Sequence, residues 1–240
     1  MTDKKMATAT VLIIGSGRLA KHLIHWFSLE AHHSKLLTWD RHQDPHAIHK
    51  YVLQATHVWL AITDSAIVPF YEKYISGHDI TAVHFSGALH DERIISAHPM
   101  MTFSDQLYED TFYSQIYFGL TGYSNLSDEI LSPLPGFKNS FYIVQPESKP
   151  LYHALCVVTG NFPQMLWSEV SNLATEKKIP QAALNIYIQK ITENFLLYGP
   201  QALTGPFVRQ DILTIDKNIQ SLSGTLLEKI YTSFKKVFLK

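Results

Sequence analysis

The stretch Thr8 to Leu23, TATVLIIGSGRLAKHL, constrains this chain more than any other. Val11, Leu12, Ile13 and Ile14 form an unbroken apolar run, too short for a helix and rich in β-branched residues. Such a run reads as a strand buried on both faces, in the interior of a parallel sheet. Gly15, Gly17 and Ala20 follow at once, and Leu19, Leu23, Trp26 and Phe27 then recur at helical spacing. Strand, glycine turn and helix in that order are the context in which G-x-G-x-x-A points to a dinucleotide site. Gly15 permits the turn. Gly17, without a Cβ, lets backbone approach a pyrophosphate at the helix N-terminus, where free N–H groups and the helix dipole favour anions. Ala20 keeps helix and strand close. Gly15, Ser16, Gly17, Arg18, Leu19 and Ala20 are thus candidate cofactor contacts.

The same alternation continues. Lys35 to Trp39 reads as a second strand, ending at Asp40 and Arg41. An acidic residue roughly twenty positions beyond the glycine turn suits the adenosine ribose hydroxyls of NAD. Arg41 beside it suits the 2′-phosphate of NADP, and its planar fork of donors tips the expectation towards NADP. Asp44 and Pro45 predict the start of a short helix. Thr56 to Ile62 reads as a third strand, placing Ala61, Ile62 and Thr63 under the cofactor, with Asp64 as the cap of the next helix. Thr81 to Phe85 is a fourth, stopping at Ser86-Gly87. Short links between alternating strands and helices predict parallel pairing with right-handed crossovers.

Two residues here carry alternative readings. Ser86 is either a turn residue or a polar group beside the nicotinamide. His98, ahead of Pro99, either makes a structural hydrogen bond at an X-Pro turn or delivers a proton to the substrate. The clusters His42, His46, His49 and His22, His25 have helical spacing, yet no Cys, Asp or Glu pair completes a metal set, so they read as solvated helix faces. Tyr117 to Thr121 and Ser140 to Val144 are later strands.

The alternation stops at Gln145-Pro146-Glu147-Ser148-Lys149-Pro150, which reads as a boundary between residues 1–146 and 147–240. Beyond it the chain is helical: Leu151 to Thr175, with kinks expected at Gly160 and Pro163, then Gln181 to Tyr198, a helix opened by Asp211, and Thr225 to Lys240. Their apolar stripes are core or subunit interface, and Cys156 is a core residue. The stretch 202–211, ALTGPFVRQD, is either a plain loop or a functional one, with Thr204 and Arg209 as its candidate substrate contacts.

A net charge of −1 in 240 residues provides no field to attract nucleic acid or an anionic membrane. Cys156 is the only cysteine, so no internal disulfide forms. The polar residues 1–10 lack the apolar core of a signal peptide, and no apolar run reaches membrane-spanning length. A cytoplasmic location is expected.

GSGRLA, AITDSAI, HFSGAL, AHPMMTF and ALTGPFVRQD occur in this order along nearly the whole chain. Together they resemble the uncharacterised Rossmann-like oxidoreductases related to pyrroline-5-carboxylate reductase and the 6-phosphogluconate dehydrogenase-like superfamily. The resemblance implies an α/β fold: a Rossmann-type doubly wound, mainly parallel sheet followed by a smaller all-helical C-terminal domain that shapes the substrate cleft and dimerises. Carried over, Gly15 to Ala20 line the pyrophosphate. Ser86, Gly87 and His98 flank the reacting centre, and Thr204 to Arg209 approach it. Asp40 departs from the neutral residue that NADP-using relatives often carry.

The expected function is hydride transfer between NAD(P) and a C=O or C=N carbon of a small metabolite, by a homodimer joined through its helical domain. The alternative is a dinucleotide-binding sensor or subunit without catalysis. The polar pair Ser86 and His98 favours the enzyme.

Overall fold

The computed structural model describes residues 9–31, 33–122 and 132–239; residues 1–8, most of the polar N-terminal stretch, lie outside them. The chain divides into two compact units, Met1–Cys156 and Val157–Lys240. The sequence break was expected at 146/147, where strand alternation ends.

In the first unit, β1 (Thr10–Ile14) leads through the glycine turn into α1 (Arg18–Glu30). Then come β2 (Lys35–Trp39), α2 (Ala47–Val52), β3 (His57–Leu60), α3 (Asp64–Tyr74), β4 (Thr81–His84) and β5 (Ile95–Pro99). The short helix α4 (Asp110–Tyr113), β6 (Phe118–Thr121) and β7 (Phe141–Ile143) complete it. The seven strands form one sheet in the order β2-β1-β3-β4-β5-β6-β7. All neighbours are parallel except β5 and β6.

The apolar run of β1 divides between two cores, which explains why it does not alternate with polar residues. Val11 and Ile13 pack with Trp26, Trp59 and Phe118 on one face. Leu12 and Ile14 pack with Ile48, Val58 and Ile67 on the other. A sheet buried on both faces needs such residues at every position.

Some local expectations are corrected. Residues 95–99 form a strand rather than a turn, because Pro99 is the last strand residue and its missing N–H leaves no gap within the ladder. Asp44 does not cap α2; its carboxylate accepts from the His46 amide in a turn ahead of the helix. Asp64 is the first residue of α3, with Thr63 at the cap position. His22 is buried rather than solvated, its ring bonded to Tyr113 Oη at 2.8 Å and to the Ser104 carbonyl at 3.1 Å.

The helices α5 (Lys149–Glu176), α6 (Gln181–Tyr198), α7 (Ile212–Ser221) and α8 (Leu226–Phe238) follow. α5 is one continuous helix through Gly160 and Pro163. Gly199, in the left-handed region, ends α6. Asp211 and Thr225 cap α7 and α8 with their side chains. Among the described residues no helix is long and apolar enough to cross a membrane.

Candidate active site

The glycine turn has the geometry its sequence demands. Gly15 has φ +124°, and a Cβ there would lie 2.3 Å from the Ala61 carbonyl oxygen. Only glycine fits. At Gly17 a Cβ would meet nothing within 4 Å. Gly17 also sits at the N-cap of α1, and no side chain caps the helix there. The first turn of α1 therefore presents uncapped amides beside open space, which fits the phosphates of a dinucleotide. Arg18, the next residue, pairs with Asp105 at 3.0 and 3.3 Å, both side chains exposed. Leu19 and Ala20 face inward, and Ser16 is exposed.

At the end of β2, Asp40 Oδ1 accepts from the His42 amide at 2.8 Å, while Arg41 is exposed. Ala61 and Ile62 are half-buried beyond β3, and Thr63 is exposed. These residues lie beyond the carboxyl ends of the strands, as expected for the cofactor side of an open α/β sheet.

Ser86 is engaged by its own loop and by the start of α3. Its hydroxyl donates to Asp64 Oδ2 at 2.6 Å and accepts from the Leu89 and Ala88 amides at 2.9 and 3.2 Å. Gly87 allows two imidazoles to converge: a Cβ there would lie 2.7 Å from the His153 ring and 3.0 Å from His98 Nε2.

The cross-strand register explains what surrounds them. His84 of β4 pairs with Ser96 of β5, and His98, two residues on, pairs with Gly119 of β6, itself paired with Tyr142 of β7. Side chains two apart on a strand share a face. The first turns of α5 bond to this polar face. Lys149, 1 % exposed, donates to Ser96 Oγ at 2.7 Å and to the Ser86 carbonyl at 3.3 Å. Tyr152 Oη lies 2.7 Å from His98 Nδ1 and 2.9 Å from Tyr142 Oη. Gly119 makes room for this, since a Cβ there would come within 3.0 Å of Tyr152 Oη.

Burial sets the proton affinities of the cluster. It lowers Lys149 to about 8, against the opposing pull of the Asp64 carboxylate. His98 is lowered to about 4, by burial first and then by Lys149 and His153. His84 is lowered to about 4 by burial and Lys149. Burial thus holds the His98 ring neutral near pH 7, which counts against the expected proton delivery by it, and brings Lys149 down towards that range.

Lys149, Tyr152, Tyr142 and His153 escaped the sequence reading. One signal for Lys149 existed: a cation in the first residue of a long helix opposes the dipole and needs another reason to be there. Thr204 and Arg209 belong to the second unit, where both are exposed. Asp211 there is engaged with the Thr214 amide and hydroxyl.

Residues 116–237 match the family described as "Domain of unknown function (DUF2520)". No curated protein matches the sequence. Three solved structures of similar fold span nearly the whole chain. A proposed NADP oxidoreductase from Bacteroides fragilis is 18% identical with a TM-score of 0.75, covering 96% of this chain and 98% of its own. An imine reductase from Streptomyces aurantiacus is 12% identical with a TM-score of 0.65, covering 95% and 93%. The 1-pyrroline-5-carboxylate reductase of Streptococcus pyogenes is 14% identical with a TM-score of 0.62, covering 94% and 95%. At these identities the likeness establishes a shared Rossmann-like fold.

Proposed function

This chain belongs to the DUF2520 family, and from that premise we propose that it is an NAD(P)-dependent oxidoreductase acting on a C=O or C=N carbon of a small metabolite. The observation that carries the reading is the contrast between the two glycines of the turn. Gly15 is packed against backbone, whereas Gly17 borders open space at an uncapped helix N-terminus. That is a cradle for a pyrophosphate. The nicotinamide, when bound, supplies or accepts the hydride.

The chain's own residues orient the reactants and handle the proton. Gly15 to Ala20 hold the pyrophosphate, and Arg41 selects NADP through its 2′-phosphate. Ala61 to Thr63 and Ser86-Gly87 form the floor. Lys149 is the proton donor in the reducing direction. It is closed to solvent, is held by Ser96 and the Ser86 carbonyl, and has a pKa of about 8, suited to giving a proton near neutrality. A pure sensor has no need of a buried lysine kept this close to neutrality, so the cluster favours the enzyme.

The working form is proposed to be a cytoplasmic homodimer. α6 has no buried residue although it carries Ile186, Leu196 and Leu197, each more than 70 % exposed. An apolar cavity of about 500 Å3 also opens among Leu166, Phe207, Ile230 and Phe234. Exposed apolar side chains gathered in this way mark interaction surfaces, and a second copy is the partner proposed here.

Calorimetry with NADPH and NADH, followed by a screen of carbonyl and imine substrates monitored at the nicotinamide absorbance, tests the function. Absence of binding by either cofactor ends it.

A further inference from the structure

One side of α1 holds the segment that follows β5. Arg18, His22 and His25 stand at i, i+4 and i+7, which places them on a common helix face. Each bonds to a residue of 104–113. Arg18 pairs with Asp105, the His22 ring nitrogens lie 2.8 Å from Tyr113 Oη and 3.1 Å from the Ser104 carbonyl, and His25 Nε2 lies 2.8 Å from Asp110 Oδ1. We propose that Asp105 is an internal stand-in for the cofactor's phosphates: in the free protein its carboxylate holds the Arg18 guanidinium, and the pyrophosphate of an incoming dinucleotide takes that guanidinium from it.

Position and geometry both point this way. Arg18 is the first residue of α1 and follows Gly17, at a helix start that no side chain caps. Its guanidinium is carried on a long, flexible stem from the same turn whose amides are open to an anion. Asp105 meets it side-on: Nε donates to Oδ1 at 3.0 Å and Nη2 donates to Oδ2 at 3.3 Å. Arginine grips a phosphate with the same fork of parallel donors. Carboxylate and phosphate therefore compete for the same hydrogens.

The exchange costs little and leaves the loop in place. The side chains are 63 % and 71 % exposed, and an ion pair in water contributes little to stability. The other fastenings do not pass through Arg18. The His22 ring packs against Phe103 and Tyr108 at centroid distances of 4.9 and 4.8 Å, and Tyr113 Oη accepts from the Tyr108 amide at 3.2 Å. Asp105 thus stays beside the cradle when Arg18 leaves it. Its carboxyl is held below the usual carboxylate range by the Arg18 guanidinium, with a smaller contribution from Lys21, so it is charged at neutral pH. A charge fixed there opposes a phosphate twice: it occupies the donor beforehand and repels the anion afterwards. The result is a site that binds its cofactor less tightly than its donors allow and releases it more readily. The inference rests on the oxidoreductase reading for the identity of the anion.

Calorimetry of the full chain with NADPH, NADH and inorganic pyrophosphate tests it, using wild type, Asp105→Asn, Arg18→Gln and the double variant. Asp105→Asn keeps the shape and removes the charge. It is expected to tighten dinucleotide binding about fivefold, the scale of one exposed ion pair, whereas Arg18→Gln weakens it. In the Arg18→Gln background the gain from Asp105→Asn is expected to shrink, because no guanidinium is left to free. Where wild type binds, unchanged or weaker binding by Asp105→Asn overturns the proposal. An equal gain in both backgrounds also overturns it, since Asp105 then acts by general repulsion and not through Arg18. Tighter pyrophosphate binding by Asp105→Asn, with no dinucleotide bound by any of the four proteins, supports the exchange and overturns the oxidoreductase reading. No binding of any probe overturns both.

Discussion

Lys149 Nζ donates to Ser96 Oγ across 2.7 Å, joining the first turn of α5 to the middle of the sheet in a place closed to solvent. Replacing the lysine by methionine keeps the stem and removes the charge. Lys149→Met is expected to fold, by circular dichroism, and to lose about a hundredfold or more in turnover, the scale of a missing general acid. Retained activity excludes Lys149 as the donor.

The pH dependence of the rate follows from the same group. In the proposed role its protonated form is the donor, and its pKa is lowered to about 8. Reduction is therefore expected to be constant at neutral pH and to fall as pH rises through about 8, while alcohol or amine oxidation rises over the same range. A reduction rate flat to well above that pH contradicts the assignment.

Stability has its own pH dependence. His84 and His98 are held at about 4 in the folded protein, against 6.5 for the free side chain. The unfolded chain thus binds more protons at these two side chains between those values, so the histidines' contribution to stability is full above pH 6.5 and declines as pH falls towards 4. Each histidine contributes about 3 kcal/mol to the decline. Thermal melts of wild type and His84→Gln across this interval measure it, and the variant is expected to have the shallower slope.

The turn glycines separate folding from binding. Gly15→Ala places a methyl 2.3 Å from the Ala61 carbonyl at a positive φ, so it is expected to lower stability by several kcal/mol. Gly17→Val adds bulk only to open space. It is expected to fold while losing cofactor affinity, read by calorimetry against wild type. Equal binding by Gly17→Val moves the pyrophosphate elsewhere.

The sheet and the turn were legible because their signals are local. Val11 to Ile14 announces a strand buried on both faces, and the glycines after it announce the turn. The polar cluster around His98 is not local. Lys149 lies in a polar, proline-bearing hexapeptide that reads as a linker, and its burial depends on Ser96 and Ser86, 53 and 63 residues away. Tyr152 fitted an apolar helical stripe, so its hydroxyl went unconsidered. β5 was hidden by His98-Pro99, which looks like a turn until the antiparallel partner β6 is present. Ser86 was located, but its hydroxyl serves Asp64 and two amides rather than an open site.

Cofactor choice is tested at one side chain. Asp40 is engaged with the His42 amide, which leaves Arg41 as the exposed charge at the end of β2. NADPH is expected to bind more tightly than NADH at matched salt, and Arg41→Ala to weaken NADPH about tenfold while sparing NADH. The reverse order in wild type assigns the site to NAD.

The bonds from α5 to the sheet also impose an order in time. Protein chains are made from the N-terminus, and β4 and β5 are complete long before Lys149 and Tyr152 exist. Ser96 and His98 wait 53 and 54 residues for their partners. During synthesis the glycine turn and the first parallel strands can close early, whereas the polar face stays open until the helix after the last strand leaves the ribosome. The nascent chain thus acquires the glycine turn before the buried polar cluster, and a chain cut after β7 keeps the former without the latter.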